Sequence, residues 1–452
     1  MTVDTPSTTQ RRLPRALTPF RHAGYRRLAV ALVLSSFASG VWIVGLVWEV
    51  IRLGGGPAQL SLVTTASAVG VLLPALVGGV VADRVPQKTI LLAVASVELA
   101  GMVTVASLSA LDVGSVVALM GVSFVTGMGM AFYYPAYSAW LPALVPAEDL
   151  MAVNGFEGMV RPTIGQALGP AVAGAVVAAA APAAAIGVAA LAALGGLLAL
   201  TLVPRTPVRR QASSSSGDGR GPLATAVADV REGFAYMRRT PWLLATLLLA
   251  SVMVLMMMGP LEVLVPFLLK DGLGGGPGAH AMVLGSFGIG GAVGSLVMGS
   301  LPMPRRYLTV MNVTWGLAAL PLGAMVFATA VWQVVVAGFL LGALFSAPTV
   351  IWGTLLQRRV PSHLLGRVAS LDFFVSLSLM PVSMALAGPI SELVGLRATF
   401  VAAGTVPVLA AVVAVVWARL PADELAHPLR DGAEDPEDPE DTESVDDAPC
   451  AA

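Results

Sequence analysis

Apolar stretches of helix length recur along the chain, each closed by a short polar or Gly/Pro-rich break. A bilayer core demands roughly 20 apolar residues per helix. Runs of that size fall near 28–52, 59–82, 89–110, 115–138, 149–178 and 182–203. A polar interval, 204–240, interrupts the series, and six more runs follow near 242–268, 281–302, 307–329, 331–353, 367–391 and 396–419. The pattern predicts an all-α integral membrane protein with twelve transmembrane helices in two six-helix bundles. The expected domains are a cytoplasmic arm (1–27), a first bundle (28–203), a linker (204–241), a second bundle (242–419) and an acidic tail (420–452). The tail repeats Glu-Asp-Pro with almost no apolar residues, so it is expected to be disordered. In the linker, Leu223, Val227, Val230, Phe234 and Met237 share one helical face. That predicts an amphipathic helix, lying either on the inner leaflet or on the protein's own surface.

Composition supports this class. Of 452 residues 56% are hydrophobic and only 12% charged, against about 25% charged in soluble domains. Lys and Arg crowd alternate loops, with Arg26, Arg27, Arg84, Lys88, Arg305, Arg306, Arg358 and Arg359 on one side and only Arg52, Lys270 and Arg397 on the other. The bias places both termini in the cytoplasm of a multi-pass plasma-membrane protein. The lone cysteine, Cys450, permits no internal disulfide. His22, His280, His363 and His427 fall in expected loops or the tail, which argues against a histidine relay or a metal site. A phosphate-cradling G-x-x-x-x-G-K loop is absent, so the expected energy source is the proton motive force, with no bound cofactor.

The stretch 150–174 carries the most chemistry. Glu157 and Arg161, four residues apart, share a helix face inside an apolar run. Intramembrane charge is costly, so it marks a pathway or a buried ion pair. The pattern recurs: Val145–Arg161 lines up without a gap on Val360–Ser376, which sets Glu157 on Asp372, and with one residue skipped Gly174 meets Gly388. Ser67–Lys88 similarly aligns with Gly285–Arg306. Repeats that enter the bilayer in the same direction predict two like halves with the pathway between them.

Other acids are candidates for proton coupling. Glu98 lies about 14 Å into the third span at helical rise, with no base at i±3 or i±4. Glu262 sits between Pro260 and Pro266, where irregular backbone is expected. Asp372 reads as a cavity-lining acid, and Glu49 with Arg52 as an interfacial pair. The methionines Met253, Met256, Met257 and Met258 suit either an adaptable substrate pocket or ordinary packing. Tyr133, Tyr134, Tyr137 and Trp140 suit either that pocket or an interfacial belt.

Two motifs carry a family resemblance. Gly79-Val-Val-Ala-Asp83-Arg84-Val-Pro-Gln-Lys88 resembles the major facilitator superfamily loop G-x-x-x-D-R-x-G-R-R, with Pro86 and Gln87 as departures. The resemblance implies that Asp83 and Arg84 lock neighbouring helices in the outward-facing state; the second half has Leu301 in place of the acid. Gly165-x-x-x-Gly169-Pro170-Ala-Val-Ala-Gly174 is similar to the fifth-helix motif of the superfamily's antiporters, which implies export. Asn154, Arg161 and the Gly366-Arg367-Val-Ala-Ser370 run resemble the branch of macrolide and enterobactin exporters. The expected function is proton-coupled efflux of amphipathic small molecules. The expected partners are substrate, protons and lipid rather than nucleic acid, with the chain working as a monomer. The rivals are proton-coupled metabolite uptake and a non-transporting scaffold.

Overall fold

The structure, a computed structural model, describes residues 15–146, 149–205 and 234–429; the side chains of 75–84 and 362–367, among others, lie outside that description. Every element it describes is helical. The first half holds α1 (Ala23–Arg52), α2 (Pro57–Arg84), α3 (Gln87–Ala110), α4 (Val116–Leu144), α5 and α6 (Pro182–Thr201). Helix α5 runs as Leu150–Val160, a π-helical Arg161–Leu168 and Gly169–Ala179. The second half holds α7, α8 (Pro277–Ser300), α9 (Tyr307–Ala324), α10 (Val331–Arg359), α11 (Ser362–Val394) and α12 (Leu396–Trp417). Helix α7 begins as Pro241–Gly259 and then takes two π turns, Pro260–Leu264 and Leu268–Gly272, around Val265–Phe267. Eleven described stretches are long and apolar enough to cross a membrane; in α11 the described apolar segment is the shorter Ser378–Val394.

Packing repeats between the halves. Helix α2 lies on α4 and α1 on α6, just as α8 lies on α10 and α7 on α12. Lipid tails are as apolar as leucine, so close backbone approach at small residues has to hold such helices together. A Cβ at Gly70 would stand 2.2 Å from Phe124 O, and one at Gly290 only 2.0 Å from Phe339 O. The matching contacts are Gly127 on Ser67 and Gly342 on Phe287. These pairs relate α4 to α10 by 215 residues (127 to 342) and α2 to α8 by 220 (70 to 290). The linear match of Ser67 with Gly285 uses 218, so it slips by two residues along the outer part of these helices. The starts of these helices (57 and 277) and of the next ones (87 and 307) also lie 220 apart, so the match centred on Pro86 and Pro304 is two residues out of the packing register.

The first and last described segments, 15–22 and 420–429, are fastened to the same face of the molecule. In the N-terminal turn Arg15–Arg21, Thr18 donates to Asp149 Oδ1 at 2.6 Å, and His22 Nε2 stands 3.0 Å from Oδ2. The Thr18 hydroxyl, helped by His22, holds the Asp149 carboxyl below the usual carboxylate range. A depressed carboxyl contributes above its unfolded pKa and is lost as pH falls through the folded one. Asp149→Ala should therefore release the arm at neutral pH, seen as faster tryptic cleavage after Arg15 and Arg21. In the unsubstituted protein, hydrogen exchange over 15–22 should rise only below about pH 4.

The C-terminal end departs from the compositional expectation. Residues 420–429 are ordered, and α13 (Leu420–Ala426) packs on the second bundle. Glu424, only 1% exposed, accepts from Leu308 N at 2.8 Å and Thr309 N at 3.0 Å, while Thr309 Oγ1 donates at 2.7 Å. A carboxylate on the free amides of α9 both caps that helix and opposes its dipole, worth about 1–2 kcal/mol. Residues 430–452 lie outside the described residues. So does most of the expected amphipathic linker helix; of it only 234–239 is seen, where Met237 is 4% exposed and Phe234 is 49% exposed. Those two side chains do not share one lipid-facing stripe.

Candidate functional site

Helix α4 places Tyr133 and Tyr137 one turn apart on its inner face, stacked with ring centroids 5.6 Å apart. Tyr137 is buried, and its hydroxyl donates to Glu157 Oε1 on α5 at 2.7 Å. Glu157 therefore has a neutral partner that spacing within its own helix could not reveal; Arg161, on the same helix, lies within Coulombic reach of it. On the other side of Tyr137 is a cavity of about 20 Å³, room for about one water, lined by Ser35, Glu98, Tyr133 and Tyr137 among apolar groups. Glu98 makes no hydrogen bond or ion pair to any described residue. Two acids expected from separate helices thus flank one pair of tyrosines. Burial of Tyr137 and Trp140, each 1% exposed, excludes the interfacial-belt reading for them.

The second half repeats the arrangement with different chemistry. Trp352 Nε1 on α10 donates to Asp372 Oδ2 on α11 at 3.0 Å. Donor and acid are 20 residues apart in both halves, and both lie 215 residues beyond their counterparts Tyr137 and Glu157. Here the surroundings are tryptophans: Trp242 and Trp315 stand 6.5 and 6.3 Å from Trp352. Asp372 is thus held by an indole against an aromatic cluster, rather than standing as a simply solvated acid.

The halves meet through α5 against α8 and α2 against α11. Toward the face bearing the termini, α5 and α8 part around a 650 Å³ cavity lined by Gly158, Met159, Thr163, Gln166, Gly288 and Ser295, among others. Arg161–Leu168 forms part of its wall. Pro162 and Pro170 cannot donate amides to a regular α ladder, and the Gly169 amide reaches Ile164 O, five residues back. Such π segments recur at functional sites. Toward the opposite face the cavity closes. A Cβ at Gly288 would stand 2.8 Å from Gln166 Cβ, and one at Gly174 would stand 2.9 Å from Pro277 O. On the pseudo-symmetric side, a Cβ at Gly388 would stand 2.5 Å from Pro57 O. There Gly388 N donates to Ser61 Oγ at 2.8 Å, and Ala58 N reaches Glu392 Oε1 at 3.3 Å.

The antiporter-like motif divides its labour. Gly165, Gly169 and Pro170 press α5 onto Gly40 of α1 inside their own bundle, whereas Gly174 touches the other half. Glu262 is half-buried in a π turn of α7, as its flanking prolines suggest, and makes no hydrogen bond or ion pair to any described residue. Glu49 is buried with Arg52 at 2.9 Å and also accepts from Ser109 Oγ at 2.7 Å. Met253 and Met257 are buried in the core rather than lining a pocket. Lys88 donates to Thr201 O and Val203 O, so it caps the end of α6. The side chains of Asp83 and Arg84 lie outside the described ones, as do those of Tyr134 and Arg367. His280 corrects the loop assignment: it lies in the first turn of α8, 2% exposed, with Nδ1 unpaired among the described residues. His363 likewise lies within α11, its side chain outside the description. Among the described residues no three His, Cys, Asp or Glu side chains gather as a metal site.

Comparison with known proteins agrees with this architecture. A family model described as a transmembrane secretion effector matches residues 15–441. The multidrug efflux pump Tap of Mycolicibacterium fortuitum is 25% identical over 411 residues, which span 88% of this chain and 96% of that protein. Macrolide efflux protein A of Streptococcus pyogenes is 24% identical over 393 residues, covering 84% of this chain and 92% of its own. A crystal structure of the nucleoside transporter NupG, in a point-mutant form, superimposes with a TM-score of 0.67 at 12% identity, over 87% of this chain and 99% of that one. At that identity the likeness concerns the fold alone.

Proposed function

The chain belongs to the transmembrane secretion effector family of major facilitator transporters, and from that premise we propose that it exports amphipathic small molecules from the cytoplasm in exchange for protons. The observation that carries this reading is the seam between the halves: a 650 Å³ cavity on the face bearing the termini, closed at the other end, with the helix turn of Glu157 in its wall. With the termini in the cytoplasm, as the Lys and Arg bias favours, this is a substrate-loading state. The names of the efflux relatives support drugs and macrolides as substrate classes.

In this cycle substrate enters the seam from the cytoplasm. The α2–α11 and α5–α8 contacts then part on the outer side, and the inner ends close. A proton from outside reaches Glu157 and neutralises it. The water-sized cavity and Tyr137 offer Glu98 as a second carrier on the same route. Inward return of the bundles delivers the proton to the cytoplasm. The charge change lies beside the π segment, so it acts on the backbone that forms one wall of the seam.

Everted and right-side-out vesicles test this with a radiolabelled macrolide as probe. Everted vesicles with an acid interior should accumulate it, and a protonophore should abolish accumulation. Accumulation by right-side-out vesicles under external acid would instead assign uptake by symport. Absence of gradient-driven movement in either orientation would leave a scaffold.

A further inference from the structure

A second cavity lies far from the seam, at the corner where α7 begins, α10 ends and α13 docks. It measures 580 Å³ and is lined by Tyr236, Arg239, Trp242, Arg358, Arg359 and Asp423, among others. Arg359 is already engaged: it meets Asp423 Oδ1 at 2.6 Å and lies 4.7 Å over the Trp242 ring. Arg239 and Arg358 are exposed and make no hydrogen bond or ion pair to any described residue. The one described carboxylate in the lining is thus spent, and two guanidinium groups face the same space uncompensated by any described residue.

The cleft is built rather than incidental. Its floor, α13, is fixed by Glu424 on the α9 amides, and Tyr307 donates to His427 O at 2.7 Å. Its depth is also defined. The apolar stretch of the seventh span opens at Pro241 and that of the tenth ends at Leu356, so Arg239 and Arg358 each stand two residues beyond a stretch long enough to cross a membrane. Residues just beyond such a stretch meet the headgroup region. Basic pockets between helices at this level hold anionic headgroups, to which a guanidinium can offer paired donors. Trp242, 3% exposed beneath Arg359, closes the cleft from behind.

We propose that this cleft binds the phosphate headgroup of an anionic phospholipid from the adjoining leaflet, with Arg239 and Arg358 as its ligands. The acidic segment that follows Leu429 is the competing occupant. It offers carboxylates but almost no apolar side chains to lie against the exposed Pro241.

Native mass spectrometry of the full-length protein, released from phosphatidylcholine vesicles doped with phosphatidylglycerol, decides the matter. Wild-type protein should retain phosphatidylglycerol. The Arg239→Gln/Arg358→Gln double variant should need about 25-fold more for equal retention, about fivefold per arginine. Arg239→Lys/Arg358→Lys should keep most of the retention, and Arg305→Gln/Arg306→Gln, on the same face, all of it. A chain ending at Leu429 should match wild type. Equal retention by the Gln double variant overturns the proposal. Displacement of the lipid by inorganic phosphate at low concentration would assign a free-anion site and also overturn it. A gain in retention on truncation would assign the cleft to the acidic segment instead.

Discussion

Glu157→Gln should cut efflux driven by a pH gradient about 100-fold or more, the scale on which a positioned proton-transfer group matters, while substrate exchange at equal pH continues. The substitution is well matched to the site. A glutamine amide oxygen can still accept from the Tyr137 hydroxyl, which stands 2.7 Å from Glu157 Oε1. Shape and hydrogen bond therefore persist, and only the ionisable oxygen is lost. Exchange needs no net proton movement, so it should survive, as should thermal stability. Asp372→Asn is the internal comparison. It makes the same change at the pseudo-symmetric position, where Trp352 replaces Tyr137 and Trp242 and Trp315 surround the donor. Driven efflux should persist in that variant. Wild-type driven efflux from Glu157→Gln removes Glu157 from the coupling; equal loss from Asp372→Asn removes the assignment to the first bundle.

The fold is legible in the sequence because membrane spans are long, apolar and punctuated. The duplication around Glu157 and Asp372 is legible for a related reason: that stretch keeps its length in both halves, so a gapless alignment follows the packing. The alignment fails along α2 and α8 because it is anchored on the loop prolines Pro86 and Pro304, 218 apart, whereas the starts of these helices (57 and 277) and of the next ones (87 and 307) are 220 apart. His280 is misplaced by sequence reading because Gly274-Gly275-Gly276-Pro277-Gly278 looks like a break, although proline is favoured in the first turn of a helix. Residues 420–429 pass for tail because composition changes at Pro421, yet Glu424 is acidic at the place where the α9 amides need an acceptor. The acids themselves stand out as charges in apolar runs. Their partners do not, since Tyr137 and Trp352 lie on neighbouring helices. The signal that could have paired them is the shared 20-residue separation at a common 215-residue offset.

That duplication gives the second large expectation. Gly388→Leu should hold the outer end of the seam open. A Cβ there would stand 2.5 Å from Pro57 O and 2.7 Å from Ala58 Cα, both backbone, and 2.6 Å from Ser61 Oγ. No flexible side chain can yield enough, so α2 and α11 must separate. Overpacking of this kind costs about 1–3 kcal/mol, and the cost falls only on the state closed outside. The ratio of open to closed should therefore rise about 5- to 150-fold. A cysteine at Ser61, buried in the wild-type seal, reports this in a Cys450→Ser background: an external membrane-impermeant maleimide should label it faster in the Leu variant by that factor. Gly174→Leu should do the same through Pro277 and Gly278 of α8. Gly290→Ala is the contrast. Its new Cβ would stand 2.0 Å from Phe339 O inside one bundle, so it should lower stability in every state and leave Ser61 labelling unchanged. Two seals that behave alike while an equally tight intrabundle glycine does not would locate the moving surfaces between the halves. Wild-type labelling of Gly388→Leu would mean that the α2–α11 contact is not a gate.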